Sequence, residues 1–96
     1  CQHVPEGYES AWAQYSVLAA STKERSICME KLRDAEIPTA IYYPKPLHLQ
    51  DAFNDLNYSA GDFTVAESIS QRIFSLPMHP YLSDDNISEI CDILIS

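Results

Sequence analysis

The tripeptide Pro44-Lys45-Pro46 divides this chain more firmly than any other feature. Each proline ring locks its own φ and biases the residue before it toward extended backbone, so neither a helix nor a regular strand runs through the segment. The result is a stiff elbow, not a flexible linker. The elements on its two sides have to be arranged around it.

Upstream of the elbow, Ala11 to Ala19 alternates, with Ala13, Tyr15, Val17 and Ala19 on one face, which predicts a strand. Ser21 stands three residues ahead of Glu24, a pairing in which each side chain can satisfy a free N–H at a helix start. A helix over about Thr22 to Ala35 follows, with Cys28, Leu32 and Ala35 as its inward stripe and Ile27 beside it. Lys23, Arg25, Glu30, Lys31, Arg33 and Asp34 then form a solvated face. Pro38 cannot continue the helix, and the β-branched and aromatic run Thr39 to Tyr43 suits a second strand, completing a β-α-β step.

Downstream, Asn54 to Gly61 reads as a loop. Asp62 is placed to cap a helix from Phe63 to about Phe74, on whose face Val65, Ala66, Ile69 and Ile73 recur. Ser75 to Met78 is a brief extended segment that Pro77 confines to an edge or a bent connection. Ser83 caps a last helix with Asp84 and Asp85 at its positive end and Ile87, Ile90, Cys91 and Leu94 as its buried stripe. The fold class is α/β in the wide sense (α+β), a small sheet packed with helices. At 96 residues, one domain spanning 1–96 is expected.

Charge and cysteine usage narrow the partners. Six Lys and Arg against fourteen Asp and Glu leave a net charge of −8, which repels phosphate backbones, so no nucleic acid is expected. No apolar run approaches the roughly 20 residues that cross a bilayer, and no signal peptide opens the chain, which points to a cytoplasmic protein with no membrane partner. Cys1, Cys28 and Cys91 form no Cys-x-x-Cys pair and read as reduced thiols, the latter two on apolar helix stripes. A start at Cys1, where no Met stands, suits a trimmed or excised piece.

Chemistry is sparse. His3, His48 and His79 lack metal-ligand spacing, no Gly-x-Ser-x-Gly is present, and two isolated glycines, Gly7 and Gly61, cannot cradle a phosphate. The densest group of functional side chains is Ile41 to Gln50, where two tyrosines, a lysine, a histidine and a glutamine share the proline-stiffened bend. Two readings stand there. Tyr42 and Tyr43 are half-buried strand aromatics and His48 a loop histidine bonded to backbone, or the segment meets a ligand. For Ser75 to Leu82 the structural reading is preferred.

Val4-Pro5-Glu6-Gly7-Tyr8, Ala13-Gln14-Tyr15, the Tyr-Tyr-Pro-Lys-Pro-Leu-His-Leu-Gln run at 42–50, Gly61-Asp62-Phe63 with Val65-Ala66-Glu67, and Leu-Pro-Met-His-Pro-Tyr-Leu at 76–82 together resemble the C-terminal region of the DegT/DnrJ/EryC1/StrS family. The resemblance covers nearly the whole chain. It implies the small C-terminal domain of an aspartate-aminotransferase-like fold, with a large cofactor domain belonging to the same protein but absent from these residues. It further implies a pyridoxal-phosphate-dependent enzyme that transfers an amino group from glutamate to a nucleotide-linked keto sugar, active as a homodimer.

In the family the Schiff-base lysine lies in the large domain, and none of Lys23, Lys31 and Lys45 matches it. The resemblance therefore implies no catalytic residue, no cofactor-binding residue and no metal ligand here, and no pyridoxal phosphate on this chain alone. His48 and Tyr43 are the expected substrate contacts, through a hydrogen bond from the imidazole and packing of the phenol on a sugar. Two alternatives remain open: a sugar dehydratase on the same fold, with histidine in place of the lysine, and a free-standing, non-catalytic interaction domain. Glu36 departs from the family by standing where related sequences often have a helix-ending glycine, so Glu36→Gly is expected to stabilise the domain by up to about 1 kcal/mol.

Overall fold

A computed structural model describes residues 2–96, which leaves the expectations for Cys1 outside the described residues. Strand β1 (Tyr15–Leu18) leads into helix α1 (Thr22–Asp34). Short 3-10 turns at Leu47–Leu49 and Asp51–Leu56 follow the elbow, then helix α2 (Thr64–Ser70), strand β2 (Ile73–Leu76) and helix α3 (Asp84–Ile95). This is the mixed architecture expected, a small sheet with helices, but its wiring differs from the β-α-β step.

The sheet is antiparallel and joins β1 to β2, with Tyr15 opposite Leu76 and Leu18 opposite Ile73. Residues 39–43 contribute a single bridge, in which Ala40 and Ser75 exchange both backbone hydrogen bonds, at 3.1 and 2.8 Å. Pro38 brings no N–H to the ladder and bends begin at Tyr42, so pairing cannot extend. β2 therefore has β1 along one side and, at Ser75 alone, the Ala40 bridge on the other, and of the expected segment Ser75–Leu76 lie in the strand while Pro77–Met78 form the connection beyond it. Pro77 falls one residue beyond the strand, where its missing donor is harmless.

Three further boundaries move for identifiable reasons. β1 starts four residues late because Trp12 has φ of 46°, a left-handed kink that ends the alternation begun at Ala11. The helix expected to reach Phe74 stops at Ser70, and Ile73 and Phe74 pair with Leu18 and Val17. Phe74 gains more as the buried centre of the sheet than as a helix terminus. Part of the loop expected at 54–61 is the second 3-10 turn, ended by Asn57 in the left-handed region.

Ala19, Leu32, Phe74 and Ile90 form the buried centre, ringed by Val17, Cys28, Met29, Ile37, Ile93 and Leu94. Of the stripe expected on α3, Ile90 is buried and Leu94 half-buried, but Ile87 and Cys91 are exposed, because α3 rolls so that Ile93 faces α1 in their stead. Ile27 on α1 is exposed as well. Arg25 leaves the solvated face: its guanidinium donates to Ser70 O at 2.9 Å and to Ile73 O at 3.4 Å, tying α1 to the α2–β2 corner. Inside the sheet the hydroxyls of Ser16 and Ser75 pair at 2.7 Å, which satisfies the buried Ser75.

Helix ends follow the sequence closely in two cases. Ser21 Oγ accepts from Glu24 N, while Glu24 reaches back to Ala20 N; Ser83 and Asn86 form a full capping box. Asp62 does not cap α2. It accepts from Ser59 N at 2.7 Å, and the N–H groups ahead of α2 are taken by Glu67 from inside the helix.

Candidate functional site

The elbow sets the site. Pro46 directs the chain into the turn Leu47–Leu49, closed by Leu49 N to Pro46 O at 3.0 Å, and Gln50 Nε2 donates back to Lys45 O at 3.1 Å. This rigid mount holds Tyr43 and His48 on the wall of one cleft of about 590 Å³. Tyr42, Phe53, Tyr58, Phe63 and Ile69 supply much of the remaining wall, and Phe74 and Ser75 its floor from the sheet.

The two sequence-predicted residues play different parts there. Tyr43 is 64% exposed, so its phenol is free to meet a ligand. The His48 side chain is only 7% exposed, and its ring meets Phe63 edge-on at 4.9 Å, which in turn meets Tyr58 at 4.8 Å. His48 Nε2 is sealed and unbonded among the described residues; Glu67 Oε2 stands 3.6 Å away. The Glu67 carboxylate is itself anchored, accepting from Gly61 N at 2.8 Å and Phe63 N at 3.3 Å. Phe63 and Glu67 belong to the stretch that carries the family resemblance, but neither they nor Phe53 and Tyr58 were expected in the site from sequence. Their signal was available, since Phe53, Tyr58 and Phe63 stud a stretch otherwise rich in loop residues.

His79 lies apart from this group, its Nδ1 accepting from Tyr81 N at 3.2 Å, a local turn contact. Among the described residues no set of three His, Cys, Asp or Glu side chains is placed to hold a metal ion. Among the described residues no helix is long and apolar enough to cross a membrane.

The cleft does not fit a pyridoxal phosphate cradle, which needs an amine for a Schiff base and donors for a phosphate. No lysine or arginine lines it. Arg25 and Arg72 are spent on backbone carbonyls, Lys31 donates to Ser96 O, Arg33 pairs with Glu30 and Asp34, and Lys23 and Lys45 are exposed and are not among the lining residues.

The molecule is also more open than its mass requires. A folded 10.8 kDa monomer is expected to expose about 5,500 Å², whereas this chain exposes 7334 Å². Its radius of gyration is 15.7 Å, against about 12.5 Å for a compact domain of this length. Tyr8, Val65 and Tyr81 are each at least 70% exposed.

A small antiparallel sheet backed by helices, with an elbow-mounted cleft on one side, defines the chain as a small domain of the aminotransferase fold. It belongs to the DegT/DnrJ/EryC1/StrS aminotransferase family, whose model matches residues 1–95. A DegT/DnrJ/EryC1/StrS aminotransferase from Brucella abortus superimposes with a TM-score of 0.82 at 43% identity, covering 97% of this chain and 24% of that one. A protein from Streptococcus pneumoniae assigned as a sugar aminotransferase and solved in its PMP form gives a TM-score of 0.71 at 26% identity, over 84% of this chain and 21% of that one. The UDP-2-acetamido-2-deoxy-3-oxo-D-glucuronate aminotransferase of Pseudomonas aeruginosa is 37% identical over 82 residues, 85% of this chain and 21% of the relative. The chain thus spans between a fifth and a quarter of the length of these relatives. The family depends on pyridoxal phosphate, as the PMP form of the pneumococcal protein reflects.

Proposed function

We propose that residues 1–96 are the small C-terminal domain of a cytoplasmic aminotransferase that moves an amino group from glutamate to a nucleotide-linked keto sugar. In this reading pyridoxal phosphate and its Schiff-base lysine reside in a large domain of the same protein, which works as a homodimer. This domain closes one wall of the active site and does not catalyse alone. Tyr43 and His48 contact the substrate.

The observation that carries the reading is the cleft mounted on the elbow, in a chain that exposes 7334 Å² and matches the family from residue 1 to residue 95. A surface excess on the order of 1,800 Å² is what a domain exposes when a neighbour of comparable contact area is removed. The substrate class follows from relatives such as the Pseudomonas enzyme, which acts on a UDP-linked 3-oxo sugar.

The test uses the full-length protein with glutamate and UDP- or dTDP-linked keto sugars, following 2-oxoglutarate release. Amino transfer supports the reading; elimination of water from the sugar makes the protein a dehydratase, and no turnover with any keto sugar refutes both. Tyr43→Phe and His48→Gln should raise KM for the sugar nucleotide and leave the cofactor's absorbance unchanged. An unchanged KM in both removes them from the site.

A further inference from the structure

We infer that Glu67 is a positioning residue for His48: it holds the imidazole as its Nε2–H tautomer, so that the ring presents the Nδ1 lone pair to the cleft. The ligand group met there is then a hydrogen-bond donor, a hydroxyl or an ammonium, and not a phosphate oxygen. The ligand half of this inference rests on the substrate wall proposed above; the tautomer is a property of the protein by itself.

The geometry leaves the ring little choice. His48 Nε2 is sealed from solvent, and the group facing it is Glu67 Oε2 at 3.6 Å. An ionised carboxylate only accepts, so a bare Nε2 would set two acceptors against each other, whereas an N–H there points a donor at an acceptor. A closing movement of about 0.5 Å brings the pair into hydrogen-bond range. In a neutral imidazole a proton on Nε2 leaves Nδ1 as acceptor. No protein group bonds Nδ1 among the described residues, and it is not sealed as Nε2 is. His48 lines the cleft, so Nδ1 is the nitrogen left for a ligand.

Glu67 is able to dictate the tautomer because it is fixed independently of His48. Its Oε1 accepts from Gly61 N at 2.8 Å, and its Oε2 accepts from the same N–H at 3.0 Å and from Phe63 N at 3.3 Å. Its side chain is 18% exposed, and Phe63 packs against the imidazole edge. A carboxylate pinned by two backbone donors keeps its oxygen beside Nε2. Second-layer carboxylates that select a histidine tautomer are a general device, effective because the partner's hydrogen bond decides which nitrogen carries the proton.

The test is a two-bond proton–nitrogen correlation spectrum of the protein labelled with 15N at histidine, recorded well above the pH at which imidazole titrates. His48→Gln identifies the His48 signals by their loss. The wild-type ring should show the Nε2–H pattern. Glu67→Leu removes the carboxylate that faces Nε2, so an Nε2–H there would be sealed without an acceptor and the ring should shift toward the Nδ1–H pattern. A purely structural role for Glu67 predicts no such switch. A wild-type Nδ1–H ring, or an unchanged tautomer in Glu67→Leu, overturns the inference; should Glu67→Leu fail to fold, Glu67→Asp, which draws the carboxylate back by one methylene, is read in the same way. The Tyr43 and His48 KM measurements are untouched by either result, so the two readings fail separately.

Discussion

Glu36 offers the sharpest test of how this fold is held. It ends α1 at φ of 61°, in the left-handed region, with its N–H on Arg33 O at 2.9 Å and the next N–H, from Ile37, on Leu32 O at 2.8 Å. That pair of bonds is a Schellman ending, and its companion hydrophobic contact is present because Leu32 and Ile37 both belong to the core. Glycine is the usual occupant of the left-handed position, since any Cβ there crowds the carbonyl and costs about 1–2 kcal/mol. Glu36→Gly removes that strain and loses no side-chain contact of note, as Glu36 is exposed. Against this stands the greater freedom of glycine in the unfolded chain, about 0.4–1 kcal/mol. The net is a stabilisation of about 0.5–1 kcal/mol, or roughly 2–8 °C in Tm for a domain this size. Thermal unfolding followed by circular dichroism reads it directly. Glu36→Ala keeps a Cβ at the same φ and serves as control. A Tm for Glu36→Gly at or below wild type, or an equal rise in Glu36→Ala, refutes the strain argument.

Other substitutions probe the remaining joints. Leu32→Ala empties the centre of the core beneath Phe74 and Ile90 and should cost about 2–5 kcal/mol in denaturant unfolding. Ser83→Ala breaks the capping box of α3 and should cost about 1 kcal/mol, whereas Asp62→Ala should leave helix content unchanged, because Asp62 holds Ser59 and caps nothing. Arg25→Ala removes a charged donor from two carbonyls at the α2–β2 corner and should cost about 1.5–3 kcal/mol, with Arg25→Lys recovering little of it. Equal stability of Arg25→Ala and wild type would return Arg25 to the solvated face.

Local signals in the sequence were faithful where the chain decides its own conformation. Ser21 and Ser83 each mark a helix start by backbone chemistry that needs no distant partner, and both sit where that chemistry places them. The left-handed ending at Glu36, by contrast, was reached only through the family resemblance, since a glutamate carries no such signal. Pairing was not legible in the same way. Val17 and Phe74 meet through a register that no local pattern encodes, and the helical spacing running through Ile69 and Ile73 concealed the change to strand. The kink at Trp12 gave no sign either, since a bulky aromatic is among the last residues expected at positive φ. At the cleft, the elbow announced Tyr43 and His48, but Glu67 lies a helix away in sequence and reaches His48 only after the loop at 58–63 has folded over it.

The antiparallel pairing of β1 with β2 bears on how the chain folds during synthesis. About 55 residues separate Leu18 from Ile73, and closing a loop of that length carries an entropic cost of about 3.5 kcal/mol before any ladder bond rewards it. No part of the sheet can therefore pair until Ile73 has left the ribosome, and the ladder is complete only with Leu76. Helix α1, capped at both ends, is the one sizeable element available to form earlier, and it must wait for Phe74 and Ile90 to give Leu32 a dry place to sit. Until then the apolar stripe of α1 has no partner within this domain.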